Sequence, residues 1–253
     1  MKRDEFVKLL HEAYKNTTSI SRDILPTDVA GLEDAYAVQH AFTALKEANG
    51  DTLGGYKISL TSDATQKLFG VTEPLYGQIM ADHVVAGPLV LSGMNLPKIE
   101  LELVFIAQED LLPTDTQEQL LAKVHVAPGL EVPDSRYEDW FPKLSKEQLC
   151  CDGAVGGYLA YGEAIPTSYA ALDGVNGALI HNGAELSSNT SNAVLGHPAN
   201  ALSWLVEKLH GHGLLIKKGM FVSAGTFTPP MALEKGTYLG RYENIGTISI
   251  EVV

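Results

Sequence analysis

The stretch Pro97-Lys98-Ile99-Glu100-Leu101-Glu102-Leu103-Val104-Phe105 governs the interpretation of the whole chain, because two carboxylates interrupt an apolar run that predicts a β-strand. Side chains alternate across a strand, so Glu100 and Glu102 share one face while the apolar residues between and after them share the other. Like charges this close repel each other, and burial removes their hydration. The pair indicates either a solvated edge strand or a site where a proton is shared or a divalent cation binds.

The composition predicts a folded globular protein and disfavours several functions. The chain has 253 residues, 45% of them hydrophobic, which is enough for a substantial core. Its net charge of -13, from 31 acidic and 18 basic residues, argues against nucleic-acid binding, which needs clustered Lys and Arg. Uninterrupted apolar runs of roughly 18 residues are missing, and the N-terminus is charged and amphipathic. We therefore expect a cytoplasmic protein with no membrane segment.

Apolar spacing predicts a helical start followed by many short strands. Helical periodicity covers 4–15 and 31–49, whereas from Gly54 onward short apolar runs alternate with Gly and Pro. The predicted strands are 53–60, 99–107, 124–132, 155–162, 175–181, 219–225, 237–242 and 246–252, and the further helices are 62–69, 115–122 and 198–210. The pattern favours an α+β protein with a single domain over 1–253, made of a helical N-terminal lobe over 1–50 and a β-rich core over 51–253.

Two further charged residues stand in predicted strands. Lys57 lies in the centre of Gly54-Gly55-Tyr56-Lys57-Ile58-Ser59-Leu60, and Glu131 closes the apolar run before Pro133-Asp134-Ser135-Arg136. Lys57 is either an extended surface side chain or, beside bound metal and an anionic substrate, a proton carrier. Glu131 is either a surface acid, such as one paired with Arg136, or a third oxygen ligand for Mg²⁺ or Mn²⁺ beside Glu100 and Glu102.

Two turns present backbone amides. The helix predicted to begin at Pro198, after Gly196-His197, and the small-residue turn at Gly225-Thr226 can each bind a carboxylate through N–H groups. A plain helix cap and a hairpin corner explain the same residues equally well.

Six segments, taken in order, resemble the fumarylacetoacetate hydrolase superfamily, and within it the 2-keto-4-pentenoate (vinylpyruvate) hydratases and 4-oxalocrotonate decarboxylases of aromatic catabolism. The resemblance spans nearly the whole chain. The matching segments are Gly55-Tyr56-Lys57-Ile58-Ser59-Leu60-Thr61-Ser62, Tyr76-Gly77, Ile99-Glu100-Leu101-Glu102 with Phe105, Leu130-Glu131 with Asp134-Ser135-Arg136, Gly196-His197-Pro198-Ala199-Asn200-Ala201 with Trp204-Leu205, and Gly225-Thr226 through Pro230.

The resemblance implies a mixed β-roll or barrel core holding Mg²⁺ or Mn²⁺ on Glu100, Glu102 and Glu131, with Lys57 as the catalytic acid/base. It implies a hydratase that converts a 2-hydroxy-2,4-dienoate to a 4-hydroxy-2-oxo acid through a metal-stabilised enolate. A small 2-oxo or 2-hydroxydienoic acid is then the substrate. A homo-oligomer is expected, and a complex with a related decarboxylase or hydratase is a further expectation. The implied substrate-binding residues are Thr61, Leu75, Asp152, Val155, His197, Gly225 and Thr226.

Three positions depart from the hydratase pattern. The chain has Leu75 where those enzymes usually carry an acid, and Gly153 and Val155 where they carry Asn and Ser. Each lost polar partner costs on the order of 1 to 3 kcal/mol if it bonded substrate or water. Two alternatives therefore accompany the hydratase hypothesis: a 4-oxalocrotonate-type decarboxylase, and a weakly catalytic homologue that acts as a binding subunit.

Overall fold

Two β-sheets form the centre of the protein, in a computed structural model that describes residues 1–253. The strands are β1 (Leu53–Ser59), β2 (Leu75–Met80), β3 (Lys98–Ala107), β4 (Val124–Val132), β5 (Tyr158–Tyr161), β6 (Ile165–Pro166), β7 (Asn176–His181), β8 (Ala184–Thr190), β9 (Phe221–Thr226), β10 (Met231–Ala232), β11 (Gly236–Tyr242) and β12 (Gly246–Val252). The larger sheet has eight strands and runs β2-β1-β9-β3-β4-β5, with β10 paired to β3 and β6 to β4. The smaller has four, in the order β12-β11-β7-β8.

Seven helices surround the sheets. They are α1 (Arg3–Asn16), α2 (Leu32–Ala48), α3 (Asp63–Phe69), α4 (Gln117–Ala122), α5 (Lys146–Cys151), α6 (Tyr169–Leu172) and α7 (Pro198–Gly211). The first two occupy the N-terminal lobe and are tied to the core by a buried amide. Gln39 of α2 donates from Nε2 to the carbonyl oxygens of Tyr76 in β2, at 3.0 Å, and Cys150 in α5, at 2.7 Å. The lobe therefore fixes the edge of the larger sheet.

The smaller sheet packs on the larger one at the strands that carry the acids. Tyr242 at the end of β11 is buried, and its hydroxyl lies 2.7 Å from the carbonyl oxygen of Glu102 in β3 and 2.5 Å from that of Gly129 in β4. Phe227 packs edge-on against the same ring, at 5.6 Å between centroids. This contact clamps β3 and β4 together where they form the site.

One set of 56 buried apolar residues extends from Phe6 and Leu10 of α1 to Val252 of β12. Such continuity is what a chain with one shared core displays, so it supports the predicted single unit over 1–253, which stays a prediction. No helix combines the length and the apolar composition that a bilayer crossing requires.

The α+β class and most predicted elements agree with the structure, but six elements were not predicted: β2, β8 and α5, and the very short β6, β10 and α6. β2 is buried along its whole length and contains Gly77, so it shows no alternation. α5 has only six residues, too few for a periodic pattern. β8 is mostly exposed and rich in Ser and Asn. The strand predicted over 155–162 is shorter, at 158–161, because Gly153, Ala154 and Val155 have φ of 67°, 50° and 58°.

Candidate metal centre

Three carboxylates meet where β3 and β4 lie side by side. The two strands are antiparallel, Glu100 is directly opposite Glu131, and Glu102 lies two residues further along the same face of β3. One oxygen from each acid lies within 4.8 Å of the others. Glu102 and Glu131 are buried, at 1% and 0% exposure, whereas Glu100 is partly exposed. The solvated-edge interpretation of the Glu100/Glu102 pair is therefore wrong.

Lys57 reaches the cluster from β1, two strands away. β9 lies between β1 and β3, with Lys57 opposite Ser223 in the parallel β1–β9 ladder. The lysine is 1% exposed, and its Nζ contacts Oε1 of Glu131. The surface interpretations of both residues are wrong, since Glu131 pairs with Lys57 and Arg136 pairs with Asp152 instead.

The β9 turn holds Glu102 in place. Its Oε2 accepts hydrogen bonds from Ser223 Oγ at 2.6 Å and from the Gly225 amide at 2.9 Å. Gly225 has φ of 113°, and a Cβ there would lie 2.5 Å from Oγ1 of Thr61, so only glycine fits. The amide predicted as a possible carboxylate-binding group thus binds a carboxylate of the protein itself.

Burial and mutual charge shift the ionisation of the cluster. Burial raises the pKa of Glu100 to about 7, with Lys57 opposing the rise and Glu131 adding to it. Burial also raises the pKa of Glu102 well above its usual value, and the charges of Glu131 and Glu100 raise it further. Desolvation acts to lower the pKa of Lys57, but the three carboxylates outweigh it and the net shift is upward. The lysine is therefore held as an ammonium.

The donor set fits a hard divalent cation. Three carboxylates face one ammonium, so the cluster carries an excess of negative charge when ionised. Neither oxygen of Glu131 accepts a hydrogen bond of normal geometry, although both are fully buried and Oε1 contacts Lys57. Buried carboxylate oxygens without donors are costly, and an oxygen-binding ion such as Mg²⁺ or Mn²⁺ satisfies them.

A cavity opens directly onto these residues. It has an empty volume of ≈ 640 Å³, part of it open to solvent, and Lys57, Glu100 and Glu102 are its only charged lining residues. Thr61 and Thr226 line it as well. A small anionic ligand can therefore approach the acids, the ammonium and several apolar side chains at once.

The loop after α5 closes one side of this cavity through strained backbone. Ala154 and Val155 are left-handed and both line the cavity, and a β-branched residue rarely adopts that conformation. Asp152 anchors the loop: its carboxylate accepts from Ser135 Oγ at 2.8 Å and from the Arg136 amide at 3.0 Å, and it pairs with the Arg136 guanidinium. Gly77 of β2 leaves room for this loop to approach, since a Cβ at Gly77 would lie 1.8 Å from the Gly153 carbonyl oxygen.

Comparisons with known proteins give relatives over nearly the full length. The chain is 32% identical over 254 residues to 2-oxo-hept-4-ene-1,7-dioate hydratase of Escherichia coli, covering 96% of this chain and 95% of that one. It is 32% identical over 248 residues to 2-keto-4-pentenoate hydratase of Paraburkholderia phymatum, covering 94% and 93%. The chain belongs to the 2-keto-4-pentenoate hydratase family. Comparison with family models gives no match.

The solved structures agree with this family. The 4-oxalocrotonate decarboxylase of Pseudomonas putida G7, complexed with magnesium and adipate, superposes with a TM-score of 0.90 at 27% identity, over 100% of this chain and 99% of that one. The fold predicted from the resemblance, of the fumarylacetoacetate hydrolase type, is thereby confirmed. This hydratase-family member is an enzyme of the hydro-lyase class.

The enzyme's predicted substrate-binding residues divide into two groups. Thr61, Leu75, Val155 and Thr226 line the cavity, and Gly225 lies behind it as a support for Glu102. Asp152 and His197 are not among the lining residues. Contact with substrate stays a prediction for all seven residues.

His197 and Asp152 have structural partners instead. His197 caps α7: its Nδ1 accepts from the Ala199 amide at 3.1 Å, so Nε2 carries the proton and faces the Tyr169 carbonyl oxygen at 3.1 Å. Its ring stacks on Tyr169 at 3.7 Å between centroids. Asp152 is wholly engaged by Ser135 and Arg136. The Ala199 amide at the N-terminus of α7 is therefore used by the helix cap His197.

Sequence reasoning missed the apolar residues of the enzyme's cavity. Phe69, Trp140, Phe141 and Leu149 line it from α3, α5 and the segment before α5. The adjacent aromatic pair Trp140-Phe141 before a proline was a usable signal, since two large aromatic side chains in a loop normally pack against another apolar surface. Short helices and loops show no periodicity, so the sequence does not indicate that their apolar residues line the same cavity.

Proposed function

We propose that the protein is a divalent-metal-dependent hydratase that converts a 2-hydroxy-2,4-dienoate to a 4-hydroxy-2-oxo acid in the catabolism of aromatic compounds. The observation that carries the proposal is the cluster of Glu100, Glu102 and Glu131 beside the buried Lys57, next to a cavity that Lys57, Glu100 and Glu102 line. The hydratase names of the relatives, 2-keto-4-pentenoate hydratase among them, support the same reaction.

Mg²⁺ or Mn²⁺ is the proposed ion, and the three glutamates are its proposed ligands. When bound, it supplies a Lewis acid at the 2-oxygen and carboxylate of the substrate. The magnesium in the related decarboxylase structure supports this choice. Ser223 and the Gly225 amide orient Glu102 by hydrogen bonds to its Oε2.

Lys57 is the proposed proton carrier. Hydration removes the 2-hydroxyl proton, places a proton at C5, and adds the hydroxyl and proton of water at C4 and C3. Lys57 is the only lining residue of the cavity that is ionisable and not a proposed ligand. Its buried ammonium is held beside the three glutamates by Glu131, which suits a group that gives and takes back one proton.

The apolar residues of the cavity keep bulk water from the acids. Leu75 and Val155 are buried and occupy positions that are polar in the family pattern. Thr61 and Thr226 are two of the hydroxyl residues in the lining, beside Ser59, Ser62 and Thr65. Both threonines are proposed to bind substrate or water.

A second candidate is decarboxylation of a 2-oxo-enedioate. The observation in its favour is the close superposition with the Pseudomonas putida decarboxylase. The lining of the cavity opposes it, because a second substrate carboxylate would find no cation other than Lys57. A third candidate, a weakly catalytic binding subunit, is motivated by Leu75 and Val155. A homo-oligomer, a complex with a related decarboxylase and a cytoplasmic location stay predictions of the sequence.

One absorbance experiment separates these candidates. Purified protein is incubated with 2-hydroxypenta-2,4-dienoate, and separately with 2-oxohex-3-enedioate, in Mg²⁺ or Mn²⁺ and then in EDTA. Metal-dependent loss of the dienol absorbance with formation of 4-hydroxy-2-oxopentanoate is the expected result. Release of carbon dioxide from the enedioate supports the decarboxylase instead, and no reaction with either supports the binding subunit.

A further inference from the structure

We infer that the substrate of this enzyme ends in an apolar alkyl or aryl group rather than in a second carboxylate. The inference rests on the proposed function, because it places the 2-oxo acid end of the substrate at the three glutamates. It adds what the other end is, and it is drawn from the part of the cavity that the acids do not occupy.

Six apolar side chains line the cavity together with smaller apolar residues and several Ser and Thr residues. We call these six the apolar wall: Phe69, Leu75, Trp140, Phe141, Leu149 and Val155. They come from different elements than the acids, namely α3, β2, α5 and the loops on either side of α5. Leu75 lies opposite Ser59 in the β1–β2 ladder, two residues along β1 from Lys57. The wall therefore begins next to the ammonium and extends away from it.

The wall is packed as a continuous apolar surface. The Phe141 ring lies 5.3 Å from Trp140 and 6.3 Å from Phe69, between centroids. The one polar atom in the wall, Nε1 of Trp140, donates to the Leu96 carbonyl oxygen at 2.9 Å. A ligand that reaches this surface contacts carbon atoms of the protein. Burial of an apolar group of the ligand there makes binding more favourable.

Three of the polar lining residues, Ser59, Ser62 and Thr65, already have partners within the protein. Ser59 donates to the Ala154 carbonyl oxygen at 3.3 Å, and Ser62 caps α3 through the Thr65 amide at 3.3 Å. Arg136 is engaged by Asp152 and the Gly156 carbonyl oxygen, and it does not line the cavity. A substrate carboxylate on the wall would be buried without a countercharge, which is strongly unfavourable.

One cation lies close enough to serve as an internal check. Lys98, at the start of β3, holds its Nζ 5.8 Å from the centroid of the Phe141 ring, but Lys98 does not itself line the cavity. If the enzyme took a dicarboxylate, Lys98 would be the residue to receive the distal charge. The inference requires that Lys98 contribute nothing to the choice of substrate tail.

A matched pair of ligands tests the inference directly. In 2-oxoheptanoate and 2-oxoheptanedioate the terminal methyl of the first becomes a carboxylate in the second. Calorimetry on the Mg²⁺-loaded enzyme should show the monoacid binding at least about 100-fold more tightly, as expected for an unpaired buried charge. Hydration rates for 2-hydroxyhepta-2,4-dienoate and its 1,7-dioate counterpart should differ in the same direction in kcat/KM.

Two variants sharpen the comparison. Phe141→Ala removes a partly buried ring of the wall, and it should reduce the preference for the monoacid by about 10-fold while leaving Mg²⁺ affinity unchanged. Lys98→Met, the matched control, should leave the affinity for each of the two ligands unchanged. Equal binding of both ligands, tighter binding of the dioate, or selective loss of dioate binding in Lys98→Met would each overturn the inference.

The same data separate this inference from the proposed function. Hydration of both dienoates at equal rates overturns the apolar tail and keeps the hydratase. Preference for the monoacid without hydration of either dienoate keeps the apolar tail and overturns the hydratase. Binding of neither ligand overturns both.

Discussion

Glu100 makes the stability of the metal-free protein depend on pH in a way that metal reverses. Its pKa is about 7 in the folded protein against a usual value of 4.5, so the folded state holds an extra proton between those two pH values. Stability then falls as the pH rises through that window, because the folded state binds more protons than the unfolded state. The full difference, 7 minus 4.5 or about 2.5 pH units at 1.36 kcal/mol each, is about 3.4 kcal/mol.

Solvent reduces this figure, because Glu100 is partly exposed at the cavity, and we expect about 2 kcal/mol. The perturbation is Glu100→Gln, which cannot ionise. Guanidinium unfolding in EDTA should show the wild type losing about 2 kcal/mol relative to the variant between pH 4.5 and 7. Mg²⁺ at 100 times its Kd should restore about 2.7 kcal/mol to the wild type at pH 8.

The comparison has a clear refuting result. Parallel pH profiles for wild type and Glu100→Gln in EDTA would mean that Glu100 ionises normally, and the electrostatic account of the cluster would be wrong. If Mg²⁺ does not change the stability of the wild type at pH 8, the cluster does not bind the ion as proposed.

The other predictions concern the groups around the cluster. Lys57→Met should lower kcat for hydration by roughly 10²- to 10⁴-fold in saturating Mg²⁺ while calorimetry still detects the ion, and wild-type kcat would exclude Lys57 as proton carrier. Asp152→Asn should lower the free energy of unfolding by about 3 kcal/mol, because it leaves Arg136 buried without its partner; full stability in urea unfolding would contradict this. Gly225→Ala should cost about 1–3 kcal/mol and weaken Mg²⁺ binding, since its φ of 113° and the contact with Thr61 displace the amide that holds Glu102; unchanged calorimetry would oppose that role.

The sequence sufficed for the acids because strand alternation is a local rule. Glu100 and Glu102 share a face by their spacing alone. The position of Glu131 at a strand end left two alternatives open, and the resemblance favoured the third ligand. The Lys57–Glu131 pair could not be derived in this way, since it depends on β9 lying between β1 and β3, and on a β3–β4 register that places Glu131 opposite Glu100. Such pairings join segments far apart in the chain and leave no local pattern.

The missed elements have equally specific causes. β8 begins after Asn182-Gly183, whose φ values of 50° and 84° form a tight hairpin turn, and this Asn-Gly pair was a readable signal despite the polar strand that follows. β2 carries no alternation, because both of its faces are covered. His197 and Asp152 were expected to contact substrate, yet a helix cap and a buried ion pair use the same polar atoms, and only three-dimensional structure distinguishes these uses.

The central claim is that Glu100, Glu102 and Glu131 together hold one divalent ion. Titration calorimetry of Mn²⁺ and Mg²⁺ into wild type and Glu102→Gln tests it most directly, with circular dichroism and unfolding curves to verify that both are folded. We predict one ion bound per wild-type chain and no detectable binding to the folded variant. Unchanged metal affinity in Glu102→Gln would contradict the three-carboxylate site.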